Sequence, residues 1–441
     1  MSEHVSNIVE AAENISSLSW LSEYRHKAIN RVSEGYWPAK RAEHWVHSPV
    51  SRIDNAYRQT IDAADAPVVL ADIEIANLNA LRLVFVDGIF DQQRSSLPND
   101  GSVDVVAFSL ADERQQTLIN SHLGQALDQV ENRKNHIFAD INGALLEDGL
   151  FVYITKNTVF KQPIHVIYQS TGRTTATQNQ SRLLAVLEAN AQATIIEQFV
   201  SAQTEDMNTL SNNVAELILG DNAHLDHYRL SVEEQDMVHM GAVHVLLAAY
   251  SNIDSFVLNL GSWFKRTDIA IQHMASGSHS ELAGMYLPHS DEHVDLRTFA
   301  EHRVPHCTSN EVIRGILDDN SRAVFNGRIH IHPQAQKTEA NLSNKNLLLN
   351  QGAEVYTKPE LEIYADDVRC SHGATVSQIQ NDALYYMQSR GIPRKEAEIM
   401  LSYGFINELV SNLKLEPLQE YLQPMLARLF TKDSSLLRHI G

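Results

Sequence analysis

A run of β-strand patterns extends almost without interruption from residue 149 to residue 377 of this 441-residue chain. Each segment is rich in β-branched, aliphatic or aromatic residues, and small or turn-forming residues separate it from the next. Residues 150–154, 164–168 and 183–187 are examples. So many short strands in one continuous block fit either a solenoid, in which the chain coils repeatedly over itself, or a very large β-sandwich.

The spacing of the turns favours the solenoid. Six points combine a turn, a small residue and a following strand: Ala191, Ala223, Ser278, Ser321, Ala353 and Ala374. Their separations lie close to multiples of about 11 residues, which predicts a β-helix with a coil of about 21 residues. A sandwich remains the alternative, although one with so many strand residues would be unusually large.

Helical patterns flank the strand-rich block on both sides. Residues 1–148 combine helical stretches with an alternating segment that begins near residue 68, and residues 378–441 have the apolar periodicity of amphipathic helices. The predicted fold class is therefore mainly β: a β-helix core at 149–377, an N-terminal helical and α/β region at 1–148, and a C-terminal helical domain at 378–441.

Charge and cysteine content exclude several functional classes. The chain carries 35 Lys and Arg residues against 55 Asp and Glu residues, a net charge of −20. Such a chain repels phosphate, so nucleic acid and anionic membrane surfaces are not expected partners. The N-terminal residues have no signal-peptide pattern, and we expect a cytoplasmic protein. The two cysteines, Cys307 and Cys370, are too few for a disulfide framework or a self-contained four-cysteine cluster. No nucleotide-binding loop or nucleophile elbow is present, which argues against an enzyme of those types.

Histidines are concentrated in the second half of the strand-rich block. The nine between residues 273 and 372 are His273, His279, His289, His293, His302, His306, His330, His332 and His372. His289 and His293 are four residues apart, as are His302 and His306, whereas His330 and His332 face the same way if they lie in a strand. Imidazole and thiolate suit iron, zinc or copper. The alternative is that these histidines are polar surface residues of the solenoid, and whether the stretch from His289 to His306 binds metal stays open.

Cys370 and His372 form the more specific candidate metal site. They are separated by Ser371, so in a strand both side chains project from the same face and suit two ligands of one metal or cluster. A nearby Arg369 is expected to lower the thiol pKa. Because two ligands cannot complete a site, further ligands must come from elsewhere in the chain or from a partner. The alternative is a structural cysteine beside a surface histidine.

Several longer motifs resemble the SufB/SufD family of iron–sulfur cluster assembly proteins. They are residues 324–329 (VFNGRI), 335–338 (AQKT) and 346–349 (NLLL), then the run 358–376 (KPELEIYADDVRCSHGATV) and residues 389–392 (SRGI). The run that contains Cys-Ser-His-Gly is similar to the SufD branch rather than the SufB branch. The likeness is strong from about residue 300 onward and weaker before it.

This resemblance implies a right-handed parallel β-helix between helical regions. It also implies a non-catalytic scaffold subunit that pairs with SufB, carries the SufC ATPase on its C-terminal helical part, and contributes to iron entry. Cys370 and His372 would then lie near the SufB interface, where iron or an iron–sulfur cluster is held transiently. No cluster is expected to be stably bound to the isolated chain, and a homodimer is the alternative assembly in isolation. The competing functions are a β-helix enzyme acting on polysaccharide and a purely structural solenoid.

The C-terminal helical pattern supplies candidate partner-binding residues. Met400, Phe405, Ile406 and Leu409 form part of a broad apolar face, which we expect to dock the SufC ATPase. The alternative is that this helical tail simply covers the open end of the solenoid, since solenoids need a cap.

Overall fold

The computed structural model describes residues 2–15, 17–40, 42–58, 74–97, 103–131, 133, 136–171, 179–201, 210–233 and 237–430. The start of the predicted alternating segment near residue 68 and the last part of the predicted C-terminal domain, 431–441, lie outside the described residues. None of the helices within these ranges is long and apolar enough to cross a bilayer.

Helices lie before and after the strand-rich block. The N-terminal helices are α1 (Glu3–Asn14), α2 (Ser22–Glu34), α3 (Val50–Arg58), α4 (Glu113–His122), α5 (Gln125–Asp128) and α6 (Ile137–Ala144). The C-terminal helices are α7 (Asn381–Ser389), α8 (Arg394–Ser411) and α9 (Glu416–Phe430). Short 3₁₀ turns occupy Ser19–Leu21, Glu43–Trp45 and Phe108–Leu110.

The strands form two sheets. One sheet has ten strands: β2 (Ile89–Phe90), β1 (Leu81–Val86), β5 (Ile164–Ser170), β7 (Gln192–Ser201), β9 (His224–Ser231), β11 (Asn252–Leu260), β13 (His279–Leu287), β15 (Thr308–Leu317), β17 (Glu339–Leu348) and β19 (Arg369–Gln378). The other has nine: β3 (Val103–Ala107), β4 (Leu150–Ile154), β6 (Gln180–Leu187), β8 (Leu210–Leu219), β10 (Val238–Leu247), β12 (Phe264–His273), β14 (His293–His302), β16 (Arg322–Ile331) and β18 (Glu354–Ile363).

From β4 onward, successive strands alternate between the two sheets and pair parallel with the strands of the next coil. The chain therefore forms a parallel β-solenoid of about seven turns with two strands per turn, which confirms the predicted fold class. At the first end, β2 and β3 pair antiparallel with β1 and β4. Strands β1, β2 and β3 lie before residue 149 and extend the solenoid sheets. The predicted division of the chain at 148 and 377 stays a prediction.

The predicted coil length of 21 residues is wrong. His293 pairs with Arg322, and Arg322 pairs with Glu354, so aligned positions lie 29 and 32 residues apart. The turn points compared in the sequence come from different places in the coil. Ala191 precedes a strand of the ten-stranded sheet, whereas Ser321 precedes one of the nine-stranded sheet and Ala374 lies inside β19. Mixing the two corners of a coil produced an apparent period shorter than the real one.

The corner that leads into the ten-stranded sheet has a recurring backbone geometry. One residue in each of seven successive turns, those before β5 to β17, has a positive φ: Asn157, Asn190, Asn222, Tyr250, Gly277, His306 and Lys337. Asn tolerates this left-handed conformation better than most residues. The first three form a ladder, because the Asn190 amide donates to Asn157 Oδ1 at 2.7 Å and the Asn222 amide donates to Asn190 Oδ1 at 2.9 Å. A buried small residue follows in the later turns: Ala191, Ala223, Ser251, Ser278, Cys307 and Thr338.

Three apolar layers hold the molecule together. The innermost fills the space between the two sheets along the whole solenoid. Helices α8 and α9 pack on the outer face of the ten-stranded sheet through residues such as Ile406 and Leu422. The N-terminal helices α1, α2, α3 and α6 pack on the outer face of the nine-stranded sheet. Helices α8 and α9 thus cover a side of the solenoid, whereas the capping alternative placed the helical tail over the open end.

A buried carboxylate connects the N-terminal region to the solenoid. Glu216 on β8 accepts hydrogen bonds from the backbone N–H groups of Gly124, Ala126 and Leu127 at 2.8, 3.0 and 3.2 Å. It also pairs with Arg182 on the neighbouring strand β6, and both side chains are fully buried. Every acceptor position of the carboxylate is therefore used, and the charge is compensated away from water.

Replacing this carboxylate tests how strongly it stabilises the fold. We expect Glu216→Ala to lower the free energy of unfolding by about 3–5 kcal/mol, because it leaves the Arg182 guanidinium buried without a counter-charge. The measurement is denaturant-induced unfolding followed by circular dichroism. Glu113→Ala, at an exposed position in the first turn of α4, is the control and should change stability by less than about 0.5 kcal/mol. A loss below about 1 kcal/mol for Glu216→Ala would contradict the assigned role of the pair.

Candidate functional site

The last coil of the solenoid, formed by β18 and β19, is exposed. Each strand is the edge of its sheet, with ten residues in each. Every residue of β19 except Cys370 is exposed. Ile363 and Val376 continue ladders whose earlier members are buried, yet they are 41% and 48% exposed. The interior of the solenoid is therefore open to solvent at this end.

Cys370 and His372 lie on the inward face of this open coil. Cys370 pairs with Ala340 and His372 pairs with Leu342, and both partners on β17 are buried in the inner core. The prediction that the two side chains share one face is confirmed by this register. Cys370 is half-buried against the core, whereas His372 is exposed. Imidazole and thiol thus sit side by side at the solvent-facing end of the interior.

The thiol of Cys370 is less acidic than predicted. Burial raises its pKa above the ordinary value, and a backbone hydrogen bond from Ala340 offsets this only in part. Arg369 does not lower it, because its guanidinium is 85% exposed and pairs with Glu339 at 3.2 Å. The predicted activation by Arg369 is therefore wrong. At neutral pH the thiol is protonated, and binding a metal there requires that it release its proton.

Charged pairs cover the outward face of the same coil. Lys358 on β18 contacts Glu43 of the N-terminal region at 3.1 Å and Glu360 at 2.8 Å. Arg328 on β16 pairs with Glu362 and also lies 3.1 Å from Glu131. These contacts attach the N-terminal region to the outward face of β16 and β18, whereas β19 stays exposed on both faces.

The structure divides the four predicted docking residues into two groups. Ile406 and Leu409 are 0% and 7% exposed and pack on the outer face of the ten-stranded sheet, so they are not a free surface. Met400 and Phe405 are only partly buried. The helical periodicity identified the apolar face of α8 correctly, but the solenoid itself occupies half of it.

Sequence reasoning missed the most exposed aromatic residues of the tail. Tyr385 and Tyr386 on α7 are 76% and 60% exposed, and Leu384 is the only buried residue of that helix. Arg390 lies over the Tyr386 ring at 5.1 Å. The sequence did contain a signal for this exposed surface: two adjacent tyrosines on a short helix with little apolar periodicity.

The histidine pairs predicted from spacing group differently in space. His293 and His302 lie at opposite ends of β14, while His289 and His306 lie in turns outside it. Within the described ranges, His302 instead groups with His273 and Cys307. The prediction that His330 and His332 face the same way is confirmed, since their rings stack with centroids 4.4 Å apart, and Glu301 lies beside them.

The environment of Cys370 predicts how its alkylation depends on pH. In the native chain we expect iodoacetamide to modify Cys370 and to spare the fully buried Cys307. Because the pKa of Cys370 is raised, its thiolate fraction falls below that of an ordinary cysteine at neutral pH, and the rate should keep rising beyond pH 9. Mass spectrometry of the modified peptides at several pH values measures this. A rate that levels off below pH 8 would contradict it.

Comparisons with known proteins agree with this architecture. A family profile described as the SUF system FeS cluster assembly SufBD core domain matches residues 168–405, and one for the SufBD protein N-terminal region matches residues 7–166. The iron–sulfur cluster assembly protein SufD of Escherichia coli is 32% identical over 398 residues, which cover 89% of this chain and 88% of that protein.

Two further relatives extend the comparison. An iron–sulfur cluster assembly SufBD family protein of Synechocystis is 31% identical, with 88% of this chain and 86% of that protein covered. The SufD protein of Bacillus subtilis is 24% identical over 66% of this chain and 67% of its own length. With profile matches over most of its length and relatives above 30% identity, this chain belongs to the SufB/SufD family of iron–sulfur cluster assembly proteins.

Proposed function

We propose that this chain acts as the SufD subunit of an iron–sulfur cluster assembly complex, and that it is a scaffold and not an enzyme. Its last coil pairs with SufB, and its C-terminal helices receive the SufC ATPase. Iron and sulfide, the substrates of the assembly, are held transiently where the two solenoids meet. The observation that carries this proposal is the open end of the solenoid, where β18 and β19 are edge strands and β19 carries Cys370 and His372.

Free strand edges are unusual in native proteins, because their unpaired N–H and C=O groups are a template for another chain. Here β18 and β19 present such edges over ten residues each. The first end of the solenoid is closed by antiparallel strands, so the two ends differ. A second solenoid of the same kind could continue both sheets at once. SufB is the natural occupant, since the matched core domain takes its name from SufB and SufD together.

The pair of potential ligands supports the same arrangement. A Cys thiolate and a His imidazole are donors that suit iron and iron–sulfur clusters, but a cluster normally takes four protein ligands. Cys370 and His372 supply two from the inward face of the last coil. The remaining ligands would come from the facing coil of SufB, which accounts for a cluster that forms only in the complex.

A proline at the free edge tests the pairing with SufB. The N–H of Arg369 bonds to Thr338 in the turn before β17, so alternate residues of β19, including Ala374, direct their N–H groups to the free edge. We expect Ala374→Pro to abolish co-purification of SufB, because it removes a donor and obstructs the approach of a further strand.

Ala374→Thr, which keeps the donor and has a high β-propensity, is the matched control and should retain SufB. Thermal unfolding of the isolated variants establishes that both remain folded. Undiminished SufB binding by folded Ala374→Pro would show that the two proteins do not meet at this edge.

Substitutions of the ligand pair should separate cluster formation from assembly. We expect His372→Ala and Cys370→Ser to leave the complex intact and to impair cluster maturation, since water or a hydroxyl replaces imidazole and thiolate poorly as a ligand of iron. Because His372 is exposed, we expect His372→Ala to lower the free energy of unfolding by less than about 0.5 kcal/mol. The measurements are purification of the complex and recovery of iron–sulfur enzyme activity in cells that lack the wild-type protein.

Ser371→Ala is the control, because Ser371 lies between the two candidate ligands on the opposite face and bonds to Asn341. Normal maturation in both ligand variants would refute the ligand role. Loss of the complex itself would instead identify Cys370 and His372 as interface residues.

The exposed tyrosines of α7 are the best candidates for contact with SufC, together with the accessible parts of Met400 and Phe405. We expect Tyr385→Ser combined with Tyr386→Ser to weaken SufC binding at least tenfold, since buried aromatic anchors commonly contribute more than about 1.4 kcal/mol at an interface. Calorimetric titration measures the affinity. The control is Tyr36→Ser, at a 75% exposed position of the N-terminal region. If the double variant and Tyr36→Ser bind SufC with equal affinity, SufC does not contact the tyrosines of α7.

A further inference from the structure

The apolar interior of the solenoid contains a polar patch that spans two successive coils. His273 and His302 are the last residues of β12 and β14, and they belong to a ladder in which the flanking positions are Leu247 and Ile331. Both histidines are fully buried. Two imidazoles thus occupy interior positions that the adjoining coils fill with aliphatic side chains.

Serines on the facing sheet hold both imidazoles in the same orientation. His273 Nε2 lies 3.2 Å from Ser280 Oγ, and His302 Nε2 lies 2.9 Å from Ser309 Oγ. Ser280 and Ser309 are themselves paired neighbours. The two rings stack with centroids 4.2 Å apart and planes 8° apart. We assign the Nε2–H of each ring as the donor to its serine, so that both Nδ1 atoms keep a lone pair and share one side of the stack.

A thiol and a hydroxyl lie on that side. His273 Nδ1 is 2.9 Å from Ser278 Oγ, and Ser278 Oγ is 3.3 Å from Cys307 Sγ. His302 Nδ1 is buried and has no hydrogen-bond partner among the residues that the structure describes. One potential ligand atom from each of His273, His302 and Cys307 lies within 4.8 Å of the other two. An unpartnered lone pair in such a dry place is costly unless something binds it.

The imidazoles are neutral, as metal ligands must be. Burial lowers the pKa of His302 to about 3 and lowers that of His273 well below its ordinary value. Neither histidine pairs with a carboxylate in this patch, so a charged, salt-bridged state does not explain their presence. Their lone pairs are available at neutral pH.

The geometry points to a closed binding site for a divalent cation of the zinc class inside the solenoid. Its ligands are Nδ1 of His273, Nδ1 of His302 and the thiolate of Cys307, with Ser278 Oγ at the fourth position. Two imidazoles and one thiolate are a donor set that zinc accepts in tetrahedral sites. On binding, the Cys307 S–H bond breaks, its electron pair forms the bond to the cation and its proton passes to the buffer. This site is independent of the proposed function.

The same pattern is visible in the sequence once the coil length is known. Residues 273–280 and 302–309 share the form His-x₄-Ser/Cys-x-Ser, exactly one coil apart in the ladder. The turn residue is Ser278 in the first copy and Cys307 in the second. The repeat therefore supplies two imidazoles, two orienting serines and one thiol to a single point, and it joins two coils across one cation.

Cobalt is a suitable probe, because thiolate ligation of Co²⁺ produces a charge-transfer absorption. The full-length chain is expressed in cobalt-supplemented medium and is also refolded with Co²⁺, so that a buried site can fill during folding. We expect about one cobalt per chain by mass spectrometry, together with the charge-transfer band. Zn²⁺ added during refolding should raise the Tm of this protein.

The variants identify the ligands. Cys307→Ser and His302→Leu should lose the band, the bound cobalt and the Zn²⁺-dependent rise in Tm. Both should remain folded, because serine already occupies this turn position in the two preceding coils, and the ladder that contains His302 has aliphatic residues at Leu247 and Ile331. Cys370→Ser, which removes the other cysteine, should keep all three signals.

Absence of cobalt from the folded wild-type chain under both conditions would overturn the proposal. So would a band that persists in Cys307→Ser, or one that disappears in Cys370→Ser, since the latter would place the cation at the open end of the solenoid.

Discussion

The in-register hydrogen bonding between successive coils is the constraint on which the rest of this structure depends. Parallel pairing places each residue directly above its counterpart about one coil away, so every side chain acquires two neighbours of fixed identity. The inner core is built from such columns. The same stacking produces the asparagine ladder at the corner and brings Glu216 on β8 within ion-pair distance of Arg182 on the neighbouring strand β6. Stability and site geometry are both consequences of this register.

The stack of coils has two ends, and the pairing of the terminal strands differs between them. At the first end, β2 and β3 turn antiparallel and occupy the outer positions of the sheets. At the other end, no further strand of the described residues pairs with β18 or β19, and these strands expose side chains such as Ile363, whose ladder partner Ile331 is buried. The C-terminal helices, which could have covered this surface, pack on the flank of the ten-stranded sheet instead. An end of this kind fits the proposed pairing with a second solenoid, which would continue both sheets.

Burial also controls the acid–base chemistry of the candidate ligands. In the interior, desolvation keeps the imidazoles of His273 and His302 neutral. At the open end, partial burial raises the pKa of the Cys370 thiol. Arg369, which precedes Cys370 in the sequence, does not lower the pKa of this thiol. Alternation along the strand directs the Arg369 side chain to the other face, where it pairs with Glu339. The Cys370 thiol must therefore lose a proton when a metal binds there.

The sequence by itself determined the properties that depend on local pattern. The strand-rich block, the flanking helices and the shared face of Cys370 and His372 all follow from periods of 2 and 3.6 residues, and the Cys-Ser-His-Gly run identified the family. Tertiary structure alone decided what depends on register and packing. The length of the coil, the burial of Ile406 and Leu409 against the solenoid, and the raised pKa of Cys370 belong to this group. The proximity of His273, His302 and Cys307 was also decided by tertiary structure, because residues about 30 positions apart become neighbours only when the register between coils is fixed.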